Sequence, residues 1–491
     1  MKILVNTVLA LCVLTQLAGA DGPSAAVETP DTPAGRRFAG WLSTLATGKP
    51  ETLQRYISEN YSQGVLARGS AQQRAAGGIR LYQINGGAPD LVRIERSSAH
   101  ELVALIQFRV TEAWLRISIE VTPEPPHTVT QWTVASYTPP DPDNMKRLSE
   151  EEIAAGAEAY LAKLVAADLF SGSVLVAHNG KPIFSRAYGL ASRAHGVPNR
   201  ADTKFNLGSM NKMFTAVAVA QLAEKGRLAF TDPVGKHLPD YPDKTVAEKV
   251  TLHHLLTHTS GVGDYFDDKY MAAAKDRFRT VQDFFPLFVD KPLEFEPGAR
   301  FRYSNAGFMI LGAVIEKVSG QNYFDYVRDH VYKPAGMTNT DAFEMDLDTP
   351  NLATGYTREN LYGQSVAGPR RNNIFLHVIK GGPAGGGFST AEDLIRFARA
   401  LRGHKLLGSE LTEVVMAGKV ESRPGEKYAY GFAEELVNDQ RIVGHGGGFP
   451  GINSQLDIYS SLGYDVAVMS NYDPPAAMHV TGKLRSLICR G

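Results

Sequence analysis

The chain has 491 residues, 43% hydrophobic and 21% charged, which is ordinary globular composition and length enough for two or three domains, or for one large and one small. A formal net charge of -1, with no long block of Lys and Arg, gives no electrostatic footprint for nucleic acid.

Met1-Lys2, an apolar run from Ile3 to Leu17, and Ala18-Gly19-Ala20 before Asp21 read as a signal peptide over residues 1–20 with a small-residue cleavage site. The protein is therefore expected to be exported, periplasmic or secreted. The apolar run is shorter than the roughly 20 residues of a spanning helix. An uncleaved N-terminal anchor is the alternative reading, and no other segment reads as transmembrane. Cleavage would leave Cys489 as the only cysteine, so no internal disulfide is expected and a large core must supply the stability.

Residues 21–34, rich in Pro, Thr and Ala, read as a flexible lead. From 35 to 138 a small α+β accessory domain is expected. Phe38, Trp41, Leu42, Leu45, Leu53 and Tyr56 follow helical spacing, enough for one or two helices. Leu115 to Val121 alternates apolar and polar, with a partner strand at Val103 to Val110 and further strand residues at Trp132 and Val134. Helix first and antiparallel strands after resembles, by element order, the cone-shaped NTF2-like fold. Its polar residues show no catalytic spacing.

Residues 139–147 form a Pro-rich linker, and 148–489 a second, larger domain. Ser149, with Glu152 three residues on, predicts a capped helix to Ala166. Asn179-Gly180 between two apolar runs predicts a tight hairpin. Gln455–Tyr459 and Asp465–Met469 read as strands, and Ala476 to Cys489 as a closing helix. No internal repeat is present.

Within this domain Ser209-Met210-Asn211-Lys212 is the only place where a serine is followed three residues later by a lysine. Apolar residues at helical spacing follow it, so a helix starting near Ser209 puts both side chains on one face, one turn apart. A serine hydroxyl is a poor nucleophile until a base takes its proton, and a desolvated lysine can be that base. Downstream come Tyr303-Ser304-Asn305 and His445-Gly446-Gly447-Gly448. That order, Ser-x-x-Lys, then a Tyr/Ser triplet with Asn, then a basic residue and Gly, resembles the serine β-lactamase-like hydrolases. The nearest branch is that of class C β-lactamases, D,D-peptidases and related esterases. Leu255 to Gly261, Lys333 to Met337 and Gly385 to Leu394 resemble further segments of the same branch.

The resemblance implies an antiparallel sheet covered by helices plus a helical region, and a covalent acyl-enzyme without metal or organic cofactor. Ser209 would be the nucleophile, with its own backbone N–H and that of Gly448 facing the developing oxyanion. Gly447 and Gly448 would leave a bare strand edge for the acyl group. Lys212 and Tyr303 would share the proton handling, the ammonium favouring a phenolate on Tyr303. Asn305 would orient Lys212 and bind the acyl-side amide of a substrate. At position 445 histidine replaces the family's usual lysine. It is expected to read a substrate carboxylate only when protonated, below its ordinary pKa of about 6.5. This points to ester, D-amino-acid amide or peptide substrates. A β-lactamase or penicillin-binding D,D-peptidase is the alternative, and a catalytically silent binding or sensor protein the alternative of another class. His254 and His258, four apart, lack the Glu of a metalloprotease motif and read as structural. A small molecule or short peptide is the expected partner; oligomeric state is left open.

Overall fold

The structure, a computed structural model, describes residues 27–140, 146–365 and 368–491. The expected signal peptide, residues 21–26 of the lead and residues 141–145 of the linker lie outside the described residues.

The first helix, Pro33–Ala46, opens two residues before the expected start of the domain at 35. Pro33 is pre-set for the first turn, and the Thr32 hydroxyl accepts from Gly35 N, so the helix can begin there. Pro50–Asn60, Gln63–Ala67 and Ala71–Ile84 follow, the last with a Ser70/Gln73 capping box. Four strands, Pro89–Ser97, Glu101–Phe108, Trp114–Val121 and Val129–Ser136, form an antiparallel meander in sequence order. Alternation on Trp114–Val121 turns Ile117 and Ile119 inward, against Phe38, Trp41 and Leu45 of the first helix. This core is separate from those of the rest of the chain.

The larger unit is built on an eight-stranded antiparallel sheet. Its spatial order is Val420–Arg423, Glu426–Tyr428, Ala433–Val437, Gln440–Phe449, Ile452–Tyr459, Tyr464–Ser470, Gly172–His178 and Lys181–Tyr188. First and last parts of the domain thus meet at the pairing of Tyr464–Ser470 with Gly172–His178. The expected hairpin forms at Asn179-Gly180, both at positive φ (49° and 78°), as a tight turn between twisted strands requires. Both sheet faces are covered. Helices Glu150–Ala166, capped by Ser149 as expected, and Ala476–Ile488 pack on one face through Leu161, Leu164 and Leu484. On the other face lies helix Asn211–Glu224, buried on every side from Asn211 to Leu222. A helix apolar all round belongs in the interior, and it carries the Ser-x-x-Lys lysine into the core between the sheet and helices Asn305–Ser319 and Ala391–Arg402.

Polar contacts join the two units. Tyr160 Oη donates to Thr111 O (2.8 Å), and His479 Nε2 lies 2.9 Å from Ile84 O. Glu112 accepts from Lys163 (2.7 Å) and Lys483 (2.8 Å), and Arg80 pairs with Glu359.

Candidate active site

The expected helix start resolves into two pieces: a 3-10 turn, Gly208–Met210, running into the α-helix from Asn211. Ser209 sits in the turn and Lys212 in the first α-helical turn. Gly208 has φ +52°, and a Cβ there would stand 3.1 Å from both Gly447 Cα and Gly448 N. Only glycine fits this backbone approach, and it brings the Gly448 amide beside the serine's turn. The turn is pinned on three sides. Ser454 Oγ donates to Leu207 O (2.7 Å), Gly386 N to Gly208 O (2.9 Å), and Leu207 N to Gly387 O (2.9 Å). The glycine-rich segment from Gly381 to Phe388 therefore wraps the serine.

Lys212 is fully buried. Its Nζ lies 3.3 Å from Ser209 Oγ, donates to Asn305 Oδ1 (2.7 Å) and to Ala384 O, and sits 4.7 Å from the Tyr303 ring centre. Burial pulls its pKa down to about 7, although the nearby Asp264 carboxylate works the other way. Tyr303 interacts with Ser209 through its hydroxyl, and burial pushes its phenol well above the ordinary value. Desolvation thus works against the expected lysine ammonium–tyrosine phenolate pairing, since it favours the neutral form of each group. Asn305 begins helix Asn305–Ser319, whose N-cap Ser304 accepts from Gly307 N (3.0 Å). Its amide is held at both ends, Oδ1 by Lys212 and Nδ2 by Asp264 Oδ2 (2.8 Å). Asp264 was not singled out by the sequence. It lies in a loop with no spacing relation to Ser209, just beyond the Leu255–Gly261 segment, and only folding brings it to Asn305.

His445 departs from expectation. Its Nε2 lies 2.9 Å from Tyr428 Oη and its Nδ1 2.6 Å from Gly446 O, so both ring nitrogens are satisfied within the protein. Burial, reinforced by the Lys212 charge, pulls its pKa down to about 3. It is therefore neutral at any ordinary pH and has no nitrogen left for a substrate carboxylate. At Gly447 a Cβ would meet Leu207 O at 2.0 Å, so the bare backbone accommodates the serine's turn, and the same glycine lines a neighbouring cavity with Tyr303 and Gly448. Gly448 also lines the cavity over Ser209. His258 is buried with its Nδ1 accepting from Ser304 N (3.1 Å) and its ring 4.1 Å from that of Tyr303, a packing role behind the tyrosine.

The cavity over Ser209 has a volume of about 210 Å³. Tyr303 and Asn305 supply polar groups, and Tyr265, Phe266, Phe388 and Phe449 supply aromatic walls. Among the described residues that line it there is no Lys, Arg, Asp or Glu. Among the described residues there is also no cluster of His, Cys, Asp and Glu able to hold a metal ion.

The Beta-lactamase family model matches residues 157–488. Penicillin-binding protein 4* of Bacillus subtilis (strain 168) is 31% identical over 315 residues, which cover 62% of this chain and 68% of that protein. Among solved structures, a penicillin-binding protein from Bacillus halodurans is similar with a TM-score of 0.59 at 32% identity, over 70% of this chain and 100% of its own. A D-stereospecific amidohydrolase from Streptomyces sp. is similar with a TM-score of 0.57 at 26% identity, over 67% of this chain and 97% of its own.

Proposed function

The chain belongs to the Beta-lactamase family and is a serine hydrolase; from that premise we propose that it acts through an acyl-enzyme on Ser209 and cleaves esters or amides whose acyl group carries no charge. The observation that carries this reading is Lys212 Nζ, fully buried and 3.3 Å from Ser209 Oγ. A neutral amine at that distance can accept the hydroxyl proton as the oxygen attacks. The N–H groups of Ser209 and Gly448 then face the oxyanion. Tyr303, neutral and in contact with Ser209, hands a proton to the leaving group, and water later cleaves the acyl-enzyme by the reverse path. Asn305 keeps the Lys212 amine aimed at the serine, and Asp264 fixes which end of the Asn305 amide faces the lysine.

The absence of charged residues among the described lining of the cavity, together with a neutral His445, favours esters and neutral amides over substrates read by a carboxylate. The amidohydrolase of Streptomyces supports the amide side. A second reading, β-lactamase or D,D-peptidase, draws on relatives named for penicillin binding. The protein is also proposed to work outside the cytoplasm, on the signal-like residues 1–20 and on those same relatives.

The test is a panel of p-nitrophenyl esters, D-alanyl peptides and nitrocefin, with mass spectrometry of the protein. An acyl adduct on Ser209 with the neutral esters is expected. Ser209→Ala should lose the adduct and turnover by several orders of magnitude. Adduct persisting in that variant rejects the nucleophile. Faster acylation by nitrocefin than by every ester would hand the reading to the β-lactamase alternative.

A further inference from the structure

A second cavity, of about 540 Å³, lies beside the first. His377 and Ile379 line both, so the two share a wall. Its other lining residues are mostly apolar, Met271, Ala273, Met345, Leu361, Ile374 and Phe375 among them, and the two charged ones are Lys275 and an exposed Asp276. Phe375 is 82% exposed and Ile374 41% exposed, leaving apolar area in water that a ligand would cover. The nearest cation is not offered to the groove: Lys275 Nζ donates to the carbonyls of Tyr270 (2.6 Å), Met271 (3.2 Å) and Ala273 (2.6 Å). Backbone groups are also taken up in joining the walls, Ile379 N donating to Lys275 O (3.2 Å) and Met345 N to Ile379 O (3.0 Å). A peptide in an extended groove needs free backbone partners. A hydrocarbon needs none.

We propose that this second cavity receives the distal hydrocarbon of the acyl group carried by Ser209, so that the preferred substrates are esters of medium- to long-chain fatty acids. The proposal rests on the reading of Ser209 as nucleophile. In the step itself the Ser209 Oγ–acyl bond forms as the ester C–O bond breaks. The serine proton leaves on the alcohol, and water then releases the fatty acid and returns a proton to Ser209. The tail's head end lies among Phe388, Phe266 and Val378 of the first cavity, and chains too long for it pass His377 and Ile379 into the second.

The experiment measures kcat/KM for p-nitrophenyl esters from acetate to dodecanoate, below their micelle concentrations, with mass spectrometry of the Ser209 adduct. Each methylene buried raises kcat/KM by about fourfold, so a climb beyond butyrate is expected. Ala274→Trp, at an exposed alanine of the second cavity, and Phe375→Asp, at its lip, should each lower the decanoate-to-butyrate ratio about tenfold or more, the loss of roughly two buried methylenes. Both positions are exposed, so neither change burdens the core. A series that is flat or falls beyond butyrate while Ser209 is acylated overturns the proposal and leaves the nucleophile standing. A rising series that neither variant depresses overturns the assignment of the groove. No adduct on Ser209 with any ester rejects the reading of the site, and the proposal with it.

Discussion

Lys212 is where burial is converted into chemistry. With its pKa pulled down to about 7, the amine is half neutral near neutrality. The base must be unprotonated, so kcat/KM for a neutral ester should rise about tenfold per pH unit below 7 and level off above it. Asp264 raises the Lys212 pKa by its charge and holds Asn305 by its oxygen. Asp264→Asn removes the charge but keeps an acceptor. The acid limb should then move to lower pH with kcat on the plateau largely kept. Asp264→Ala loses both, leaving the Asn305 amide free to turn, and plateau kcat should fall about ten- to hundredfold. If both variants keep the wild-type limb and plateau, Asp264 has no positioning role. His445 yields the opposite kind of expectation. Since it stays neutral down to about pH 3, the ratio of kcat/KM for nitrocefin over p-nitrophenyl butyrate should not change between pH 5 and 8. A ratio that climbs as pH falls would show that the imidazole gains charge and reads the carboxylate after all. A sequence shows that position 445 is histidine; it cannot show that Tyr428 and Gly446 O already occupy both nitrogens.

At the level of elements, the serine's turn is held by backbone close approach as well as by side chains. Gly208 lies in the left-handed region, and a Cβ there would press on the Gly447–Gly448 backbone at 3.1 Å. Gly208→Ala should therefore cost about 1–2 kcal/mol of backbone strain and also push the turn away from Gly448. The expected result is a modest fall in Tm, read by calorimetry, with a larger fall in kcat than the stability loss explains. Equal activity at lower Tm would separate the turn's geometry from catalysis. Strands and helices whose signals are local were legible: the Ser149 cap, the Asn179-Gly180 turn and the alternation around Ile117 each act within a few residues. The Gly381–Phe388 wrap carries no periodicity. It is held by Gly208 O, Leu207 N and Lys212, all more than 150 residues away along the chain, and so was visible only as a resemblance.

For the molecule as a whole, three apolar cores are separate, and the one under the N-terminal meander belongs to that unit alone. The polar contacts across the junction include ion pairs at Glu112 and Glu359, of a kind worth about 1 kcal/mol or less each. Trp41 is buried in the N-terminal core against Trp132, ring centres 4.6 Å apart. Trp41→Ala should cost that unit about 3–5 kcal/mol. Calorimetry should show one transition moving down while ester hydrolysis at 25 °C is kept. Loss of hydrolysis together with the transition would mean that the two units fold as one.

By itself the sequence determined the nucleophile candidate, the order of the three motifs, the capped helices, the tight hairpin and the apolar faces, because each of these is written in spacings that a helix or strand repeats locally. Only the tertiary structure decided what those residues can do. It buried Lys212 enough to leave it half neutral near neutrality, occupied both ring nitrogens of His445, turned Gly447 towards the Leu207 carbonyl, brought Asp264 to Asn305 and set a second, mostly apolar cavity beside the first. Desolvation and close packing depend on every chain segment that surrounds a group, and those segments come from distant parts of the sequence.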